Sequence, residues 1–169
     1  MIKKGDILLI RNWIVPLSWI ISWFTYSKWT HVAWIYDNKY LLESRSSGII
    51  KTPIKKYLNK RIYKVKLLHL KGIKKEKIKQ AIKFAIELKY KRNYFKFLWT
   101  LILIAFDYAR RRPIMSCSGM IANCLSQVGF YFKKYKNPLL ITPADIDNSK
   151  RPKNVNYELR KYIKERLKK

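Results

Sequence analysis

Acidic residues are scarce in this chain. Asp and Glu together number ten against 38 Lys and Arg, a net charge of +28 over 169 residues. Self-repulsion of that size works against a compact state, so the excess is not a folding device. It points to an anionic partner: an acidic lipid surface, a cell-wall polymer or nucleic acid. A Lys-rich, Ile-rich composition is the plainer account of part of it. Cysteine is rare too. Cys117 and Cys124 are the only two, too few for a disulfide framework. Seven apart in one helix, their Cα atoms would stand roughly 10 Å from each other, beyond the reach of a bridge. With only two histidines, His31 and His69, and no C-x-x-C, a zinc site is not expected, nor is any other metal or cofactor. Five Gly and six Pro exclude a collagen-like or linker-like chain. No apolar run reaches the length of a membrane span. The nearest candidates, Trp13–Phe24 and Phe97–Phe106, have the length of a buried or interfacial helix. The N-terminus lacks a secretory signal pattern.

What is abundant is apolar. Hydrophobic residues make up 49% of the chain and aromatics 15%, which excludes a disordered protein. The length fits one domain with its own core. Gly5-Asp6 predicts a turn before a buried strand, Ile7–Ile10. Trp13–Phe24 fits a helix. Thr30–Tyr36, the turn at Asp37-Asn38 and Tyr40–Ser44 predict a hairpin. Thr52-Pro53 reads as an N-cap followed by proline in the first turn of a short helix. Arg61–Leu70 alternates as a strand with one solvated basic face. Lys74–Leu88 and Met115–Val128 carry helical apolar stripes, and Gly129 suits a C-cap. Tyr94–Ala109 is apolar and helix-like. Thr142-Pro143-Ala144-Asp145 is a second cap-plus-proline start. Tyr157–Lys169 is a basic helix with little apolar content. Strands with helices inserted between them give an α+β class.

Three residues carry candidate chemistry. Cys117 opens a helix, where free N–H groups and a partial positive charge favour a thiolate and can hold an oxyanion. His31 begins a strand, and Glu43 lies near the end of its hairpin partner. Such a pair lets a carboxylate fix an imidazole while the other ring nitrogen faces a thiol. The plainer readings are a buried structural cysteine, a half-buried histidine and a salt-bridged glutamate. Cys124 reads as core and His69 as structural or exposed.

Four segments in order resemble the circularly permuted branch of the NlpC-type papain-like superfamily, the YiiX-like and YebB-like group. They are Gly5-Asp6-Ile7-Leu8-Leu9, Ser27–Tyr36 with its Thr30-His31-Val32, Tyr40–Ser44 with Gly48-Ile49, and Ser116-Cys117-Ser118-Gly119. Thr142-Pro143-Ala144-Asp145 matches a further segment. His31 precedes Cys117, as permutation requires. The resemblance implies a permuted papain-like fold, a small antiparallel sheet or barrel packed against helices with the nucleophile at a helix N-terminus. It implies a catalytic domain over residues 1–150, with residues 151–169 a basic helical tail of the same domain. It also implies a Cys117–His31–Glu43 triad. Tyr94 and Ser118 are candidates for oxyanion or substrate contact. The family often has Cys-Ser-Glu, where this chain has Cys117-Ser118-Gly119, so contacts at the helix start are expected to differ.

The function this implies is a thiol hydrolase, amidase-like or endopeptidase-like, cleaving amide or ester bonds through a thioester. Acyltransfer and lipid hydrolysis stay open. The substrate is a peptide or acyl amide, on cell-wall peptide or a lipid-linked molecule. The charge adds an anionic surface, acidic lipid or wall polymer, as partner, and a location peripheral to membrane or wall, or on a phage. The competing class is a non-enzymatic basic module on an inherited scaffold, binding an anionic membrane surface or nucleic acid. Nucleic acid is the less favoured partner, because no helix-turn-helix, zinc-finger or RNP signature is present.

Overall fold

The computed structural model describes residues 2–14, 22, 27–45, 48–88 and 116–167. Six strands form one antiparallel sheet: β1 (Ile7–Asn12), β2 (His31–Ile35), β3 (Tyr40–Arg45), β4 (Gly48–Pro53), β5 (Tyr63–Leu70) and β6 (Pro152–Asn154). Their order is β4-β3-β2-β1-β5-β6. Among the described residues, four α-helices accompany it: α1 (Lys75–Glu87), α2 (Cys117–Ser126), α3 (Pro143–Asp147) and α4 (Asn156–Leu167). The mixed class and the antiparallel sheet packed by helices match the sequence reading. Among the described residues, no helix is long and apolar enough to cross a membrane.

The central strands are apolar on both sides because both sides are covered. Ile7, Leu9, Val32, Trp34, Leu42 and Leu68 face α1 and α2, whose stripes Ile78, Ala81, Ile82, Ala85 and Met120, Ile121, Cys124, Leu125 complete that core. The alternate residues Leu8, Ile10, Ala33, Ile35, Leu41 and Leu67 face a second core with Ile54, Tyr57 and Leu159. Period-two alternation sorts the two sets.

Three expectations are corrected. Thr52 does not cap a helix: it lies in β4, and the turn that follows is a 3-10 turn, Ile54–Tyr57, preceded by Pro53. The β5 face is not simply solvated, because Lys66 is half-buried and paired with Asp147. Nor is the C-terminal segment a bare basic helix. β6 pairs with β5 through Leu68↔Asn154 and Leu70↔Pro152, and α4 buries Leu159 with Tyr162 and Ile163 packed alongside. The expected helices at Trp13–Phe24 and Tyr94–Ala109 lie outside the described residues, apart from the first two and Ser22.

Candidate active site

The β2–β3 hairpin is built around Asp37, whose Oδ1 accepts the N–H groups of Lys39 and Tyr40, each at 2.7 Å. The register pairs Trp34 with Leu42 and Ile35 with Leu41. Glu43 is therefore diagonal to His31 on the same face, two residues short of directly opposite. A diagonal neighbour on one face is within reach of long side chains. His31 Nε2 lies 2.5 Å from Glu43 Oε2. The imidazole side chain is 19% exposed and the carboxylate not at all.

A fully buried carboxylate is costly unless donors surround it. Glu43 has four. Oε2 takes Tyr57 Oη–H at 2.7 Å as well as His31, and Oε1 takes Arg45 Nε–H at 3.0 Å and the Thr52 hydroxyl. Arg45 also donates to Tyr57 Oη. Burial alone pushes the carboxyl upward. The hydrogen bond and charge of His31, then Thr52 and Tyr57, outweigh it and bring Glu43 down to about 2. The salt bridge expected as the plain account of Glu43 is present, to Arg45, alongside the histidine contact rather than instead of it. Arg45 was within reach of sequence reasoning, since residues 43 and 45 share a strand face. Tyr57, in a 3-10 turn, leaves no periodic signal, and Thr52 carries a misleading one in its Thr-Pro pair.

Cys117 is the first residue of α2. Ser116 is the N-cap, in extended conformation, and its Oγ accepts the Gly119 N–H at 2.9 Å. Cys117 is buried, 7% exposed, and hydrogen-bonded to His31. Because His31 gives Nε2 to Glu43, Nδ1 is the ring nitrogen available to the sulfur. Burial pulls the imidazolium down. The charge and hydrogen bond of Cys117, then those of Glu43, overcome it and raise His31 to about 9. At Cys124, a turn or two further along, burial pushes the thiol up to about 12.

Ser118 is 1% exposed, and its hydroxyl donates to the Ile141 carbonyl at 2.6 Å. Its side chain fastens the helix start. Tyr94 lies outside the described residues. Gly119, the departure from Cys-Ser-Glu, has a local reason: a Cβ there would stand 2.5 Å from the Leu139 carbonyl oxygen. His69 is half-buried and pairs through Nδ1 with the buried Asp6, at 2.7 Å. This is the structural role the sequence suggested.

The fold and site can be set against known proteins. The crystal structure described as the metalloprotein yiiX from Escherichia coli O157:H7 superposes with a TM-score of 0.64 at 16% identity, covering 90% of this chain and 96% of that one. Among the described residues here, no group of three or more His, Cys, Asp and Glu could hold a metal ion. No curated protein sequence matches the chain. The family model described as permuted papain-like amidase enzyme, YaeF/YiiX, C92 family, matches residues 1–149, and the chain therefore belongs to that family of permuted papain-like amidases.

Proposed function

We propose that this amidase-family chain is a cysteine hydrolase that works through Cys117, His31 and Glu43. The observation that carries the reading is the contiguous set Cys117–His31–Glu43, with the carboxylate sealed under the imidazole by three further donors. A surface module that only binds anions has no use for such an arrangement, because each buried charge costs free energy unless it is paired.

Cys117 Sγ, as thiolate, adds to the carbonyl carbon of an amide or ester. The developing oxyanion is held at the N-terminus of α2 by N–H groups of its first residues, that of Cys117 first. The imidazolium of His31 delivers a proton to the leaving amine, or alcohol for an ester, as the C–N or C–O bond breaks, leaving a thioester. His31, now neutral, takes a proton from water. The resulting hydroxide adds to the thioester, and the thiolate departs as the acid forms. Glu43 stays ionised and keeps the imidazole oriented. With the Ser118 hydroxyl bonded to Ile141, its contribution to the oxyanion is confined to its backbone.

An anionic substrate or surface is favoured by one detail besides the net charge. Arg11 and Lys64 stand directly opposite one another across β1 and β5, one ladder step beyond Ile10, whose other partner is His31. Like charges in that position repel unless an anion lies over them. Arg11 rests on the Trp13 ring, 4.2 Å from its centroid. Wall peptide or a lipid-linked acyl amide fits this setting.

The test is covalent capture. An activated acyl amide or ester is mixed with the protein, and intact mass plus peptide mapping locates the acyl group. Acylation at Cys117, abolished in Cys117→Ala and slowed in His31→Ala, is the expected result. Undiminished turnover in Cys117→Ala would overturn the reading.

A further inference from the structure

His31 enters β2 from a short approach, Ser27 to Thr30, that is fastened from a distant part of the chain. Trp29 is 3% exposed and sits in the same core as Cys117. Its backbone N–H donates to Ser27 Oγ at 3.1 Å, and its indole Nε1–H donates to Asp147 Oδ2 at 2.8 Å. Thr30 next to it donates its N–H to the Ile10 carbonyl at 2.9 Å. The indole is thus held at its far end by one carboxylate, two residues before the imidazole.

Asp147 is the last residue of α3. Its side chain is 6% exposed, with Lys66 bonded to Oδ1 and Lys28 at 3.4 Å from Oδ2. Burial raises this carboxyl, but the hydrogen bonds of Lys66 and Trp29 hold it below the usual carboxylate range. The other end of the same segment reaches the nucleophile. Ile141, just before the α3 N-cap Thr142, accepts the hydroxyl of Ser118, the neighbour of Cys117. Between these ends the segment is stiff. Thr142 and Asp145 form a reciprocal capping box, Pro143 fills the first position, and Lys133 and Lys136 both bind Asp145.

We propose that the segment from Ile141 to Asp147 is a positioning clamp that sets the approach of the Cys117 sulfur to His31, gripping α2 through Ser118 and the entry to β2 through the Asp147–Trp29 hydrogen bond. Asp147 is a positioning residue acting through Trp29, and the inference rests on the Cys117–His31 reading above. Misplacing a reacting group by about 1 Å can cost on the order of 10²-fold in rate, so a bond at this remove is felt at the sulfur.

The experiment measures the pH dependence of Cys117 alkylation by iodoacetamide, together with kcat and KM on an activated acyl amide. The proteins are the wild type, Trp29→Phe, Asp147→Ala, Asp147→Asn, the double variant Trp29→Phe/Asp147→Ala, and His31→Ala. Trp29→Phe and Asp147→Ala are each expected to lower kcat on the order of 10²-fold with KM nearly unchanged, and to move the onset of thiolate reactivity to higher pH. The double variant is expected to be no worse than either single, because both break one bond. Asp147→Asn, which keeps an acceptor for the indole, is expected to recover most of the rate. Thermal unfolding of each variant identifies loss of fold. An alkylation profile unchanged in both single variants, with His31→Ala still altering it, would overturn the clamp alone. A profile indifferent to His31→Ala would overturn the triad reading and the clamp with it.

Discussion

In the proposed triad, the charge of Glu43 is what orients the imidazole of His31, 2.5 Å away. Glu43→Gln keeps the size of the side chain and removes its charge. The expected result is a fall in kcat on the order of 10²- to 10⁴-fold, with retained fold, read from steady-state kinetics and circular dichroism. The pH dependence of stability follows from the same pair. His31 is raised from 6.5 to about 9 on folding, so its contribution is complete below about pH 6.5 and is lost as pH rises through 9. Glu43 is lowered from 4.5 to about 2, so its contribution is complete above about pH 4.5 and is lost as pH falls through 2. Urea unfolding across pH is therefore expected to show the pair at full strength between about 4.5 and 6.5. In Cys117→Ala the alkaline limb is expected to move to lower pH, since the thiolate outranks Glu43 among the groups that raise His31. Within the wild type the two thiols are expected to part company. Cys124, pushed up to about 12, resists alkylation while the fold is intact, and Cys117 does not.

At the scale of the elements, the 3-10 turn Pro138–Leu140 crosses the start of α2 with no room for a side chain at Gly119. Gly119→Ala drives a Cβ to 2.5 Å from the Leu139 carbonyl, and backbone on both sides must give way. A loss of about 1–3 kcal/mol is expected, measured by urea unfolding, with reduced turnover because Cys117 rides on that turn of helix. Removing the cap in Ser116→Ala is expected to cost about 1 kcal/mol by the same measurement. The sequence made legible those elements whose signals are local and periodic: the β2–β3 hairpin, the apolar stripes of α1 and α2, and the Thr142 cap. It placed Cys117 on a helix start and His31 and Glu43 on one hairpin. What it could not show were bonds made across the sheet. Thr52-Pro53 has the local form of a helix start, yet the Thr52 hydroxyl goes to Glu43 because β4 pairs with β3 and brings it there. The C-terminal helix looks too polar to pack, yet Leu159, with Tyr162 and Ile163 beside it, anchors it once β6 has fixed the chain against β5.

For the whole molecule, a charge of +28 means that salt acts on stability directly. Screening shortens from about 10 Å at 0.1 M to about 3 Å at 1 M, and self-repulsion weakens accordingly. The melting temperature is expected to rise with sodium chloride, as read by differential scanning calorimetry, and a flat or falling curve would show that the cations are already compensated. The arrangement of the site along the chain has its own consequence. His31 and Glu43 are twelve residues apart in one hairpin, whereas Cys117 belongs to a helix that must dock from far along the sequence. Closing a hairpin is fast and local, and long-range docking is slower. On the proposed triad, a chain made from its N-terminus completes its base before it has a nucleophile, and the sulfur stays an ordinary thiol until α2 has docked. On that reading, reactivity is a property of the finished protein, withheld from the nascent one.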